Sequence, residues 1–206
     1  MSIDSIERLK AEKLKRLFSS AVVALAVAQL VLVLVSWLLS ATMTDGVRSL
    51  LSSEGVRWFL GDFTRQLASP WLVWLLLVAI AGGSLWQSGL LQLRLADYRQ
   101  RVAVVATFAF LLLYVTVIVL LAAIPHAVLL SATGHLFPSA FSRALVPIVA
   151  FGITLSALTF GLLSGRFATL ADALWSLVWG PSKASPLLLL YIFVTQFCAS
   201  FVFVFC

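Results

Sequence analysis

Apolar residues in this chain fall into five long runs, at 18–41, 70–93, 102–124, 144–163 and 186–206, separated by shorter polar stretches. Each run is close to the roughly 20 residues that a bilayer core demands. Backbone amides find no partner in hydrocarbon unless the chain itself supplies one, so each run predicts a spanning helix. The first is longer than the roughly 7–15 apolar residues of a secretory signal core and reads as a retained anchor. Residues 1–17 predict a cytoplasmic helix, with Asp4 and Arg8, and Glu12 and Arg16, at the favourable spacing of four.

Two of the polar connections carry their own periodicity. Over 53–68, Phe59, Leu60, Phe63 and Leu67 share a helical face opposite Arg57, Thr64 and Arg65, and Ser53 with Glu54 supplies an N-terminal cap and a first-turn acid. Over 167–179, Phe167, Leu170, Ala171, Leu174 and Val178 form a stripe, and Thr169 with Asp172 has capping-box spacing. Both segments predict amphipathic or re-entrant helices at the membrane interface, with tryptophans at 58, 71, 74, 175 and 179 at that depth. Each precedes a Ser-Pro pair, Ser69-Pro70 and Ser185-Pro186, that suits a cap followed by a first-turn proline. The expected fold is therefore an all-α integral membrane protein with about five transmembrane helices and two amphipathic ones. The repeated order of spanning helix, amphipathic helix, Ser-Pro and spanning helix resembles an inverted repeat, as found in secondary transporters.

Composition changes the picture only by naming the solvent. Of 206 residues 62% are hydrophobic and 11% charged, against about 25% charged in soluble domains. Lipid is the solvent that such a surface requires. The formal charge of +6 is spread between the apolar runs, which argues against nucleic acid as a partner. Its distribution instead sets topology. With the N-terminus inside, ten Lys and Arg residues fall on the cytoplasmic side and four outside. The expected location is a bacterial-type inner membrane, and the positive-inside rule predicts a cytoplasmic N-terminus and an external C-terminus. Cys198 and Cys206 are eight residues apart in the last run. On one helix that is about 12 Å, which excludes a disulfide between them.

The stretch 47–65, VRSLLSSEGVRWFLGDFTR, resembles part of the p-aminobenzoyl-glutamate transporter (AbgT) family, and Ser88-Gly89-Leu90-Leu91 looks like that family's ending of the next helix. A second block, 133–201, is also similar, through TGHLFPSAFSRALVPI, FGLLSGRFATLADAL and then Gln196-Phe197 with Ala199 and Phe201. The resemblance implies secondary transport of a small aromatic or dicarboxylate-like anion, driven by a proton or sodium gradient, in a homodimer or with a membrane partner subunit. It also marks departures. The family is longer, with further spanning helices and re-entrant hairpins, where this chain has the single run 102–124. An acidic residue of the family is replaced by Trp86, and asparagines by Val202 and Phe205. The chain reads as a shortened member, and its end at Cys206 within an apolar run agrees with that expectation.

No Asp, Glu, Lys, Arg or His lies inside any of the five runs, although coupled transport usually relies on such ligands. The polar residues at depth are Gln29, Gln87, Thr107, Thr116, Thr154, Thr195, Gln196 and Ser200, for which interhelical hydrogen bonding is the ordinary role. Thr195, Gln196 and Ser200 are the candidate substrate contacts, because they lie in the segment similar to the family's substrate-side helix. His126 and His135 are nine residues apart with no Cys, Asp or Glu nearby, which does not make a metal site. No set of nucleophile, base and orienting group can be assembled, so neither an enzyme nor an organic cofactor is expected. A terminating role is expected for Gly165 and tight packing for Gly82-Gly83. Two other readings stay open: an accessory or structural membrane subunit, and a degenerate or split fragment without transport activity.

Overall fold

The computed structural model describes residues 3–43, 46–92, 97–123 and 140–206, with side chains over 12–43, 46–92, 97–121 and 144–206. His126, His135, Arg94 and the acid–base pair of Asp4 and Arg8 lie outside the described side chains. Among the described residues every regular element is a helix: α1 (Ile3–Ala41), α2 (Ser53–Gly61), α3 (Phe63–Leu67), α4 (Pro70–Ser88), α5 (Tyr98–Ala123), α6 (Ala140–Leu163) and α7 (Leu170–Phe205). Five of them, α1, α4, α5, α6 and α7, are long and apolar enough to cross a membrane. The chain is an all-α, multi-pass membrane protein.

Several predicted boundaries move, and α5 and α6 each begin four residues before their expected starts. The charged start and the first run form one 39-residue helix, about 58 Å long at 1.5 Å per residue, which exceeds a hydrocarbon core of about 30 Å. The second span ends at Ser88 rather than at 93, because Gly89 turns the chain at φ +74°. The largest change concerns 167–179 and 186–206, expected as two helices separated by a cap at Ser185. They are one 36-residue helix, α7, with Pro181 and Pro186 in its interior. A proline removes a single helical bond, whereas ending the helix orphans up to four carbonyls and starting another orphans four amides, so near lipid continuity is the cheaper state. Ser182 Oγ donates to the Val178 carbonyl at 2.9 Å in the same turn.

The first amphipathic segment is divided at Asp62 into α2 and α3, and its cap is Ser52, one residue before the expected Ser53. Ser52 Oγ accepts from Gly55 N at 3.0 Å while donating to the Ser49 carbonyl at 2.7 Å, so the 49–52 turn selects it. The capping box at α7 forms as expected. Asp172 Oδ2 accepts from Thr169 N at 2.9 Å, and Thr169 Oγ1 accepts from Asp172 N at 3.1 Å. Asp172→Ala is expected to cost about 1 kcal/mol and to speed amide hydrogen exchange through the first turn of α7 (Leu170–Phe205) but not at its far end.

The chain divides into two compact units, Met1–Leu72 with Ser185–Cys206, and Val73–Ala184. In the first, Leu32, Leu50, Phe203 and Val204 form a core flanked by Val33, Val47, Trp58 and Phe197. Polar backbone enters this core paired: Leu50 N donates to Ser36 Oγ at 3.1 Å, and Arg48 N to the Val204 carbonyl at 3.0 Å. Trp58 stacks on Phe203 at 4.2 Å between ring centroids. The Tyr191 and Ser69 hydroxyls are 2.6 Å apart, and Tyr191 donates onward to the Leu67 carbonyl.

The second unit packs through small residues. Ala81, Gly83 and Ser84 of α4 and Ala173, Ser176 and Gly180 of α7 are buried, and Gly83 meets Gly180 backbone to backbone. The stripe of Leu170, Leu174 and Val178 points outward instead, 71%, 63% and 46% exposed. Lipid tails are as apolar as leucine, so large side chains gain nothing by leaving lipid, and small ones gain close contact. α5 packs on α6, where Tyr114 lies against Gly152 and donates to the Ile148 carbonyl at 2.9 Å. Gly165, at φ +76°, follows the end of α6 as a terminating glycine. Gly161 makes room for the ring of Phe167 rather than for another helix.

Candidate functional site

Two places collect polar side chains that the fold does not consume. The first, in the unit of residues 1–72 and 185–206, lies at mid-run. Gln29 sits halfway along the span 18–41, and Gln196 halfway along 186–206. Gln196 and Ser200, four apart, share a face of α7, and both are buried, 7% and 0% exposed. Gln29 Nε2 donates to Ser200 Oγ at 2.8 Å, a bond between residues 171 apart in sequence. Gln29 Oε1 and both polar atoms of the Gln196 amide are buried without a protein hydrogen-bond partner.

That arrangement is costly. An unsatisfied buried polar group costs roughly 1–3 kcal/mol in protein interiors, and hydrocarbon offers it no water. A buried acceptor on one helix and a donor–acceptor pair on another are what a bound carboxylate or amide would engage. Thr195, the third predicted contact, is not with them. It lines a shallow apolar groove of about 410 Å³ with Trp58, Cys198, Ala199, Val202 and Phe203. The structure therefore unites Gln196 and Ser200, adds Gln29, and turns Thr195 away. Both cysteines are free and exposed, one of them in that groove.

The other polar residues at depth divide by chemistry. Thr116 and Thr154 donate to carbonyls four residues back in their own helices, at 2.8 Å each, rather than across helices. Thr107 Oγ1 in α5, like the amide of Gln66 in α3, is buried and unpartnered. Gln87 lines a cavity of about 280 Å³ with mixed polar and apolar walls, together with Arg166, Phe167, Asp172, Trp175 and Ser176. Among the described residues no group of His, Cys, Asp and Glu is placed to hold a metal ion.

The second place is at one end of the unit of residues 73–184, and sequence reasoning missed it. Ser88, Gly89, Gln92, Gln100, Phe160, Ser164, Gly165 and Arg166 surround a polar cavity of about 190 Å³. Two arginines lie over the glycines that end α4 and α6. A methyl built on Gly89 would lie 3.4 Å from Arg166 Cζ, and one on Gly165 would lie 3.2 Å from Arg99 Nη1. Each guanidinium faces a helix C-terminus, where the partial charge is negative. The available signal was the recurrence of a helix-ending glycine with a nearby arginine in both connections. Nothing in the residue spacing pairs Arg99 with Gly165 across 66 positions.

Comparison of the chain with protein-family models, with curated proteins and with solved structures returned no match.

Proposed function

We propose that this chain is an inner-membrane protein of the secondary-transporter type, with Gln29, Gln196 and Ser200 as its contacts for a small anion. The observation that carries the reading is the buried Gln196 amide at mid-span, unpaired on both its nitrogen and its oxygen. A protein retains such a group at a cost in stability, and the buried partner it lacks is a polar solute. The resemblance of 47–65 and 133–201 to p-aminobenzoyl-glutamate transporters supports an aromatic or dicarboxylate-like anion as the cargo. Protons or sodium would supply the driving force. The excess of Lys and Arg in the N-terminal segment together with the second and fourth connections, ten against four, supports a cytoplasmic N-terminus and an external C-terminus.

A second reading, an accessory or structural membrane subunit, is favoured by one observation: none of the five apolar runs carries an Asp, Glu, Lys, Arg or His. In that case the Gln29 and Gln196 amides would complete their bonding on a partner helix, a second copy of the chain included. Uptake separates the two. Cells expressing the chain are expected to accumulate radiolabelled p-aminobenzoyl-glutamate above an empty-vector control, with uptake collapsing on adding a protonophore or removing sodium. Membrane-inserted protein without uptake would sink the transport reading and leave the accessory one.

A further inference from the structure

The helices α4 and α6 line both the polar cavity at the end of the unit 73–184 and an apolar one. Along α6, Ile148, Gly152 and Ser156 wall an apolar cavity of about 390 Å³. Phe160 and Ser164, the next residues at the same spacing of four, wall the polar cavity. From Ser156 to Ser164 is about 12 Å at 1.5 Å per residue. On α4, Leu85 lies in the apolar cavity and Ser88 in the polar one.

The apolar cavity is dry by construction. Its two polar side chains are already committed, Tyr114 Oη to the Ile148 carbonyl at 2.9 Å and Ser156 Oγ to the Gly152 carbonyl at 2.8 Å. What remains is hydrocarbon, and the rim opens outward through Val115, Val119 and Val149, each about half exposed. A soluble anion has nothing to bind there, whereas an acyl chain enters sideways from the bilayer.

The polar end has the opposite character. Arg166 and Arg99 are exposed and lie over the two helix ends. Neither arginine has a carboxylate among the described residues within 4.0 Å, and each is offset only by the partial negative charge, about half an elementary charge, of the helix end that it faces. Asp172 shares the neighbouring cavity with Arg166, but its carboxylate is engaged by the Thr169 amide and hydroxyl. Gln92 adds a hydrogen-bonding group beside Arg166, while the Ser88 and Ser164 hydroxyls donate to the Leu85 and Gly161 carbonyls. Basic pockets between spanning helices at a membrane face suit lipid head groups.

We infer that this end of the protein is a binding site for an anionic phospholipid, with its phosphate at Arg166 and Arg99 and one acyl chain in the groove between α4, α5 and α6. The charge selects the head group, and the dry groove selects a lipid over a free phosphate. The site is independent of the Gln29, Gln196 and Ser200 cluster.

The test is native mass spectrometry of the full chain in mild detergent, titrated with phosphatidylglycerol or phosphatidylcholine of the same acyl length. Wild type is expected to retain phosphatidylglycerol preferentially. Arg99→Gln with Arg166→Gln should lose that preference by roughly fivefold per arginine, while Arg166→Lys keeps most of it. Val149→Trp, which places an indole in the groove from a half-exposed position, should lower retention of both lipids. Equal retention of the two lipids by wild type would overturn the proposal. So would unchanged retention in the Arg99/Arg166 double variant, or displacement of the lipid by glycerol 3-phosphate, which would make the site one for soluble anions. A double variant that elutes aggregated is replaced by Arg166→Gln alone, read against Arg166→Lys at equal monodispersity.

Discussion

Gly180→Val lowers the melting temperature of the purified chain by about 2–12 °C, the product of an overpacking cost of about 1–3 kcal/mol and about 2–4 °C per kcal/mol for a protein of this size. A β-carbon at Gly180 meets the Ala79 carbonyl oxygen and, at 3.0 Å, Gly83 Cα. Those are backbone atoms of α4, so no neighbouring side chain can rotate away, and the two helices must separate. Separation would also strip contacts from the buried Ala81, Ser84, Ala173 and Ser176. Gly82 is the internal control. It is one residue from Gly83 but has open space where a methyl would go, and alanine is the better helix former by about 1 kcal/mol. Gly82→Ala therefore leaves stability unchanged or raises it. Temperature-dependent loss of the monodisperse peak of a fluorescent fusion reads both variants. Equal behaviour of the two would mean that α4 and α7 do not cross at Gly83 and Gly180.

That crossing also shows where the sequence was legible and where it was not. The five runs were visible because a bilayer imposes length and apolarity on anything that crosses it. The Thr169–Asp172 box was visible because capping is local, and so was the terminating role of Gly165. Facing was harder. The stripe of Leu170, Leu174 and Val178 was recognisable as a stripe, but in lipid the apolar side of a helix need not be the packed side. The buried side was the quieter series of Ala173, Ser176 and Gly180.

The proline rule misled for a related reason. Ser185-Pro186 has the residues of a helix start, and in water the chain could end one helix and solvate the orphaned groups before beginning the next. In α7 the helix carries through both Pro181 and Pro186. At the candidate site, Gln196 and Ser200 were accessible to sequence reasoning as neighbours on one face, while Gln29 became part of the site only through a contact across 171 residues. Thr195 lay next to Gln196 in sequence and about 100° away around the helix, enough to put it in a different groove.

Gln196→Leu is expected to make the protein more stable and to abolish uptake. Leucine is close to glutamine in size and brings no polar atoms to a position that is 7% exposed. The substitution removes two unpaired polar atoms, worth on the order of 1–3 kcal/mol, so the melting temperature should rise by several degrees. Gln29→Leu is the counterpart. It gives up one hydrogen bond to Ser200, a type that averages about 0.6 kcal/mol in bilayers. It also relieves one unpaired oxygen, so its effect on stability should be near zero. The two readings of the protein part at this point. A stabilised Gln196→Leu that no longer accumulates substrate assigns the amide to cargo. A stabilised variant that retains transport assigns it elsewhere, and one that loses a partner in a mild-detergent pull-down assigns it to assembly. A fall in melting temperature would mean that the amide is bonded in the folded protein, and Gln196 would then be packing rather than a site.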